Sequence, residues 1–189
     1  GHVAAPLRYW DLPPRTHDIS IEDATAKLDG AIRRAVSSRL MSEVPLGAFL
    51  SGGVDSSTVV SYMAEVSRDR VKTFSIGFRD DEFDERPFAR AVARRWDTDH
   101  HEFVVEPDPA TFPSIVDVFD EPFADSSAIP TYHVSRVARE VVSVALSGDG
   151  GDEIFGGYPR YRWMSRLSAL DFIPPRVRRS IFGGVSKCL

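Results

Sequence analysis

The sequence has one cysteine, Cys188, no long apolar run and no block of basic charge. Each shortage excludes a class of protein. A lone cysteine cannot build an internal disulfide framework, and it fits a reducing cytoplasm. No apolar run approaches the ~20 residues that a membrane-spanning helix needs, and the N-terminus lacks a signal-peptide core. Acidic residues outnumber basic ones 28 to 23, for a net charge of −5, so nothing points to electrostatic nucleic-acid binding. The small cluster Arg176, Arg178 and Arg179 reads as a solvated helix end. Internal repeats and low-complexity tracts are also missing. What is present is an ordinary globular composition, 42% hydrophobic over 189 residues, enough for one domain with a real core.

The stretch that organises the chain is residues 46–57. Leu46 to Leu50 is a short apolar run, bounded by Pro45 and a glycine pair, and reads as a buried strand. Val59, Val60, Met63 and Val66 follow at the spacing of one helix face. Residues 51–57, Ser-Gly-Gly-Val-Asp-Ser-Ser, therefore form a strand-to-helix loop whose N–H groups and hydroxyls converge on the positive end of a helix. That geometry suits an anion, phosphate above all. The loop has neither the lysine and spacing of a Walker A motif nor the G-x-G-x-x-G pattern. A tight turn needs only a cap; two glycines, three serines and a carboxylate in seven residues exceed that. A triphosphate would repel Asp55 unless a cation lay between them, which points to a nucleotide with Mg²⁺.

Along the rest of the chain, strands and helices alternate. Residues 20–23 look like a capping box opening an amphipathic helix with Leu28, Ile32, Ala35, Val36 and Leu40 on one side. Strands are expected over 71–78, 99–105 and 141–146, the last apolar except for Ser143. Helices are expected over 85–96, with Phe88, Ala91, Val92 and Trp96 inward, around 112–119, suggested by Phe112, Ile115, Val116 and Phe119, and over 126–140, carrying Ile129, Tyr132, Val137 and Ala138. This is an α/β chain with a parallel sheet covered on both faces. In such sheets ligands bind at the carboxyl ends of strands, where both glycine-rich loops fall. The domain is expected over 19–165, after an extended, proline-punctuated segment 1–18 whose first three residues resemble a tag remnant, and before a helical region starting at 166–189.

The second glycine-rich loop, residues 147–153, is Ser-Gly-Asp-Gly-Gly-Asp-Glu. Three acids there, Asp149, Asp152 and Glu153, are the candidate catalytic residues, and packed together they would need a cation shared with Asp55. Residues 120–132 read as a loop and helix start, in which Ser126 or Ser127 could receive a substrate carboxylate. Adjacent His100 and His101 on a strand point to opposite faces, so a shared metal is not expected and a satisfied histidine is. A serine hydrolase is disfavoured because no G-x-S-x-G elbow occurs.

Residues 51–57 look like the pyrophosphate loop of the N-type ATP pyrophosphatases. With the segments 73–78, 98–102, 120–123, 128–132 and 147–161, the chain resembles the synthetase domain of bacterial-type glutamine-dependent asparagine synthetases. That resemblance implies an adenine-nucleotide α-hydrolase-like, Rossmann-like fold and a ligase that adenylates the side-chain carboxylate of aspartate. Ammonia from a glutaminase domain would then form the amide. It further implies that Ser51, Gly52, Gly53, Ser56 and Ser57 hold the pyrophosphate. Asp55 and Asp152 would ligate Mg²⁺, the backbone at Phe49, Leu50 and Ile76 would meet adenine, and Ser147 and Gly148 would line the nucleotide and acyl side. Asp149 stands where asparagine synthetases often carry Glu. With residues 123–132 it is closer to amidotransferases encoded with exopolysaccharide systems, which leaves the acceptor open between aspartate and another carboxylate. A β-lactam or macrolactam cyclase and a non-catalytic nucleotide-binding module are the other readings, and a homo-oligomer is compatible with each. The glutaminase cysteine is missing from the N-terminus, and Lys187 lies too near the last motif to be the family's distant lysine. The chain is thus expected to be a piece of a longer enzyme.

Overall fold

A computed structural model describes residues 6–11, 18–78, 84–106, 108–119, 121 and 125–168. The expectations for Asp120, residues 122–124, the basic cluster at 176–179, Lys187 and Cys188 lie outside these. Among the described residues no helix is long and apolar enough to cross a membrane.

Among the described residues four parallel strands form one sheet in the order β3-β2-β1-β4: β1 (Leu46–Phe49), β2 (Lys72–Gly77), β3 (Asp99–Val104) and β4 (Val144–Leu146). The chain moves outward from β1 through β2 to β3, then returns across the sheet to place β4 on the other side of β1. The point where strand order reverses thus lies between β1 and β4. Both glycine-rich loops leave the sheet there, at its carboxyl edge, where open α/β sheets form their binding crevice.

Seven helices are described: α1 (Ile21–Arg39), α2 (Val54–Val66), α3 (Arg86–Arg95), α4 (Phe112–Val118), α5 (Ala128–Ala138), α6 (Gly151–Phe155) and α7 (Pro159–Ser168). Helix α1 begins where the sequence predicts, with the Ser20 hydroxyl accepting from the Asp23 amide at 3.0 Å. Alternation along the strands divides the core. On one face Ala48 and Leu50 pack with Val36, Val60, Met63, Ala89 and Ala93 of α1, α2 and α3. On the other, Phe74 packs with Val134 and Ala138 of α5 and with Val142, joined by Phe49, Ile76 and Phe103.

Two expectations, for α3 and β4, are corrected. In α3 the buried residues are Ala89 and Ala93, with Val92 packed against the same core, while Phe88 is 66% exposed. In α5 the buried set is Ala128, His133, Val134 and Ala138. Strand β4 is three residues rather than six, and as an edge strand it leaves Val144 exposed instead of buried on both faces. The helix suggested around 112–119 is α4, with Ile115 its buried residue.

Candidate nucleotide site at the sheet switch point

The loop after β1 is built by its own side chains. The Ser51 and Ser56 hydroxyls lie 3.0 Å apart, the Ser51 amide donates to Ser56 Oγ at 3.3 Å, and the Gly53 amide donates to Ser51 Oγ at 3.2 Å. The Ser56 hydroxyl also reaches the Gly53 carbonyl at 3.3 Å. Gly53 caps α2 without a side-chain bond, so the first-turn amides of a 13-residue helix face the loop. The Ser57 hydroxyl is buried and has no hydrogen-bond partner in the protein. An orphaned hydroxyl beside uncapped amides fits a phosphate oxygen.

Gly52 is required by two independent constraints. Its φ is +87°, and a Cβ there would lie 2.5 Å from the Phe88 carbonyl carbon and the Ala89 amide. The loop is therefore seated on the first turn of α3.

The loop after β4 comes to meet it. A Cβ on Gly148 would lie 2.7 Å from the Ser56 amide nitrogen, and one on Gly151 would lie 2.5–2.8 Å from the two Asp55 carboxylate oxygens. The Asp55 carboxylate thus rests in a cradle formed by the Gly151 backbone, immediately before Asp152. The three acids of this loop do not cluster as the sequence suggested. Asp149 accepts from the Ser147 hydroxyl at 2.9 Å, Glu153 accepts from the Tyr158 hydroxyl at 2.8 Å, and the Asp152 carboxylate turns toward Gly157. Side chains at successive helical positions diverge, which separates Asp152 from Glu153. Among the described residues no group of three or more His, Cys, Asp or Glu could hold a metal. The protein can therefore supply one or two carboxylates, Asp55 with Asp152 near it in sequence to the cradle. That donor set suits Mg²⁺, which keeps waters and takes further oxygens from phosphates.

The positions expected at adenine lie along the same edge. Leu50 is buried and its amide already donates to the Phe74 carbonyl at 2.8 Å, whereas Phe49 and Ile76 are half-buried beside Phe74. Ser127 stands at the start of α5, its amide donating to Asp125 at 2.8 Å, a bond that holds the Asp125 carboxyl below its usual range.

His100 is the satisfied histidine expected: Nδ1 lies 2.8 Å from the Thr73 hydroxyl and Nε2 3.3 Å from Glu102. Burial pushes its pKa down, outweighing the opposite pull of the Glu102 carboxylate beside Nε2. His101 points to the opposite face, stacked on Phe74 with ring centroids 5.2 Å apart. Sequence reasoning missed three features. Arg86 pairs bidentately with Asp84 over Gly77 at the end of β2. Arg90 pairs with Glu102. His133 is buried with an unpartnered Nε2, and its pKa is pushed down by that burial. For Arg90 a signal existed: His100 and Glu102 alternate onto the same face as α3.

Residues 27–184 match the family model described as asparagine synthase. The chain belongs to the asparagine synthase family. It is 40% identical over 175 residues to a protein of Methanocaldococcus jannaschii named provisionally as glutamine-hydrolysing asparagine synthetase 2, covering 90% of this chain and 33% of that one. It is also 40% identical over 153 residues to the glutamine-hydrolysing asparagine synthetase 1 of Bacillus subtilis, covering 80% of this chain and 24% of the relative. The chain thus spans a third or less of the length of these two relatives. Among solved structures, the NMN synthetase of Francisella tularensis is similar with a TM-score of 0.48 and 14% identity, over 75% of this chain and 59% of that one.

Proposed function

We propose that this asparagine synthase-family chain is the ATP-using part of an amide-forming ligase. In the reaction, a carboxylate oxygen of the acceptor, most simply the aspartate side chain, attacks the α-phosphorus of ATP. The bond to the bridging oxygen breaks and pyrophosphate leaves. Ammonia derived from glutamine then attacks the acyl carbon, AMP departs, and one ammonia proton is lost as the amide forms.

The observation that carries this reading is the meeting of two glycine-rich loops at the switch point, with Asp55 cradled against Gly151 and uncapped α2 amides beside it. Ser51, Gly52, Gly53, Ser56 and Ser57 hold the departing pyrophosphate through amides and hydroxyls that are already oriented, so little reorganisation accompanies the growth of charge. Asp55 and Asp152 would hold Mg²⁺, which would neutralise charge on the phosphate oxygens. The backbone at Phe49, Leu50 and Ile76 borders adenine, and Ser147 and Gly148 face the acyl phosphate. Asp149, oriented by Ser147, is the acid nearest that side and accepts the proton lost from ammonia. Glu153 braces the loop through Tyr158.

The test is ATP–pyrophosphate exchange by the intact protein with Mg²⁺, with and without aspartate. Exchange that requires aspartate is expected. Exchange that instead requires a different carboxylate reassigns the acceptor. ATP binding without exchange for any acceptor would leave a nucleotide-binding module in place of a ligase.

A further inference from the structure

We infer that Arg90, held by Glu102, is a positioning residue that sets the phosphate loop by pinning the first turn of α3 against Gly52. The inference rests on residues 51–57 receiving the ATP phosphates.

Gly52 meets α3 at Phe88 and Ala89, one position before Arg90. The start of that helix is held locally by Asp84, whose carboxylate accepts from the Arg86 amide at 3.1 Å and pairs with the Arg86 side chain, a bond to the residues just before the helix rather than to strand β3. Its N-cap, Glu85, makes no side-chain capping bond, and its core contacts are small: the methyl groups of Ala89 and Ala93, with Val92 packed beside them. Such methyl contacts resist separation from the sheet but allow sliding along it. Arg90 stops the slide. Its Nε lies 2.7 and 2.8 Å from the two Glu102 oxygens and its terminal nitrogen 2.7 Å from Oε2, a forked geometry that fixes direction as well as distance.

The other end of the clamp is rooted in the sheet. Glu102 is 3.3 Å from His100 Nε2, which also lies 3.4 Å from the Ser75 hydroxyl. His100 Nδ1 meets Thr73, and the Thr73 hydroxyl lies 2.9 Å from that of Thr98. Thr73, Ser75 and Thr98 are all buried. One turn before Arg90 on the helix, Arg86 with Asp84 lies over Gly77, so both basic side chains of this face reach strand ends or strands.

A plain surface ion pair is the competing account, and magnitudes separate the two. The Arg90 side chain is 42% exposed, and pairs that open to water add little to folding stability. A clamp whose role is geometric should therefore move nucleotide affinity far more than the unfolding temperature.

The experiment measures MgATP binding by calorimetry, exchange kinetics and thermal unfolding for Arg90→Gln, Arg90→Lys and Glu102→Gln in the intact protein, with Gly52→Val as reference. Arg90→Gln and Glu102→Gln are expected to weaken MgATP binding about tenfold and to lower kcat with it, while the KM for the acceptor stays within about twofold. The unfolding midpoint should move by only about 2 °C. Arg90→Lys, which keeps the charge and loses the fork, should fall between Arg90→Gln and wild type. Unchanged affinity in Arg90→Gln while Gly52→Val loses binding would overturn this inference alone. Affinity that falls only in step with the unfolding midpoint would also overturn it. Unchanged binding in Gly52→Val would remove the phosphate-loop reading, and this inference with it.

Discussion

The two glycine-rich loops look alike in sequence and are held in different ways. The loop after β1 leaves a strand paired on both sides, is tied by its own serines, and feeds a 13-residue helix. The loop after β4 leaves a three-residue edge strand and enters a five-residue helix whose Ile154 and Phe155 are 77% and 57% exposed. Two of its glycines, Gly148 and Gly151, are pressed against Ser56 and Asp55 of the first loop. The first loop is thus shaped by its scaffold, and the second is shaped largely by the first. The same contrast sorts the glycines. Gly52, Gly148 and Gly151 answer to close approach, whereas Gly150, at φ +93° with open space around it, answers only to backbone conformation.

Substitutions can break this comparison at several points. Gly52→Val combines a left-handed φ with collision against α3 backbone. It should lose nucleotide binding outright and cost roughly 2–5 kcal/mol of stability, read by denaturant unfolding. Asp55→Asn is nearly isosteric, so the fold should persist while MgATP affinity drops about tenfold or more in calorimetry. Binding equal to wild type would refute the metal role given to Asp55. Gly151→Ala meets the movable end of Asp55, and the carboxylate can swing aside. A several-fold loss of MgATP affinity with an intact fold is expected, smaller than for Asp55→Asn. Gly150→Ala tests the opposite claim: about 1–2 kcal/mol of stability lost to φ strain, with MgATP affinity at the wild-type level. A large binding defect there would show that the second loop is as tightly fitted as the first.

The smallest effect concerns pH. Burial holds His100 below its ordinary value of about 6.5, so the unfolded chain takes up a proton that the folded chain resists. Stability therefore rises with pH through the window below 6.5, and His100→Gln should flatten part of that slope. His133, shifted the same way, keeps the remainder. Glu102 is lowered chiefly by its bond to Arg90, so its contribution persists until the pH drops below the usual carboxylate range.

The core of this arrangement was legible in the sequence because it is local. The apolar run 46–50, the glycine pair and the 3.6-residue spacing after it specify β1, the loop and α2 without reference to anything distant. The opposite faces of His100 and His101 followed from the two-residue period alone. What escaped depended on tertiary contacts. Hydrophobic size suggested that Phe88 would turn inward, yet Ala89 takes that place. His133 was passed over because a polar residue in a helix is expected outside. The three acids of residues 147–153 seemed a cluster because sequence proximity was taken for spatial proximity, while Ser147, Gly157 and Tyr158 draw them apart.

The pairing of Ala48 with Leu146 joins positions about a hundred residues apart, whereas the pairing of Ala48 with Thr73 spans about a quarter of that. Contacts that close so long a loop of chain form late, since the entropy of closure must be met before they give anything back. During synthesis β1, β2 and β3 can assemble as the chain emerges, with the serine-tied loop already formed at their edge. Nucleotide recognition must wait for β4 to return and set Gly151 against Asp55. A ribosome-bound intermediate stopped before residue 144 would hold half of the crevice, which makes the last strand to dock the step at which the fold becomes able to bind.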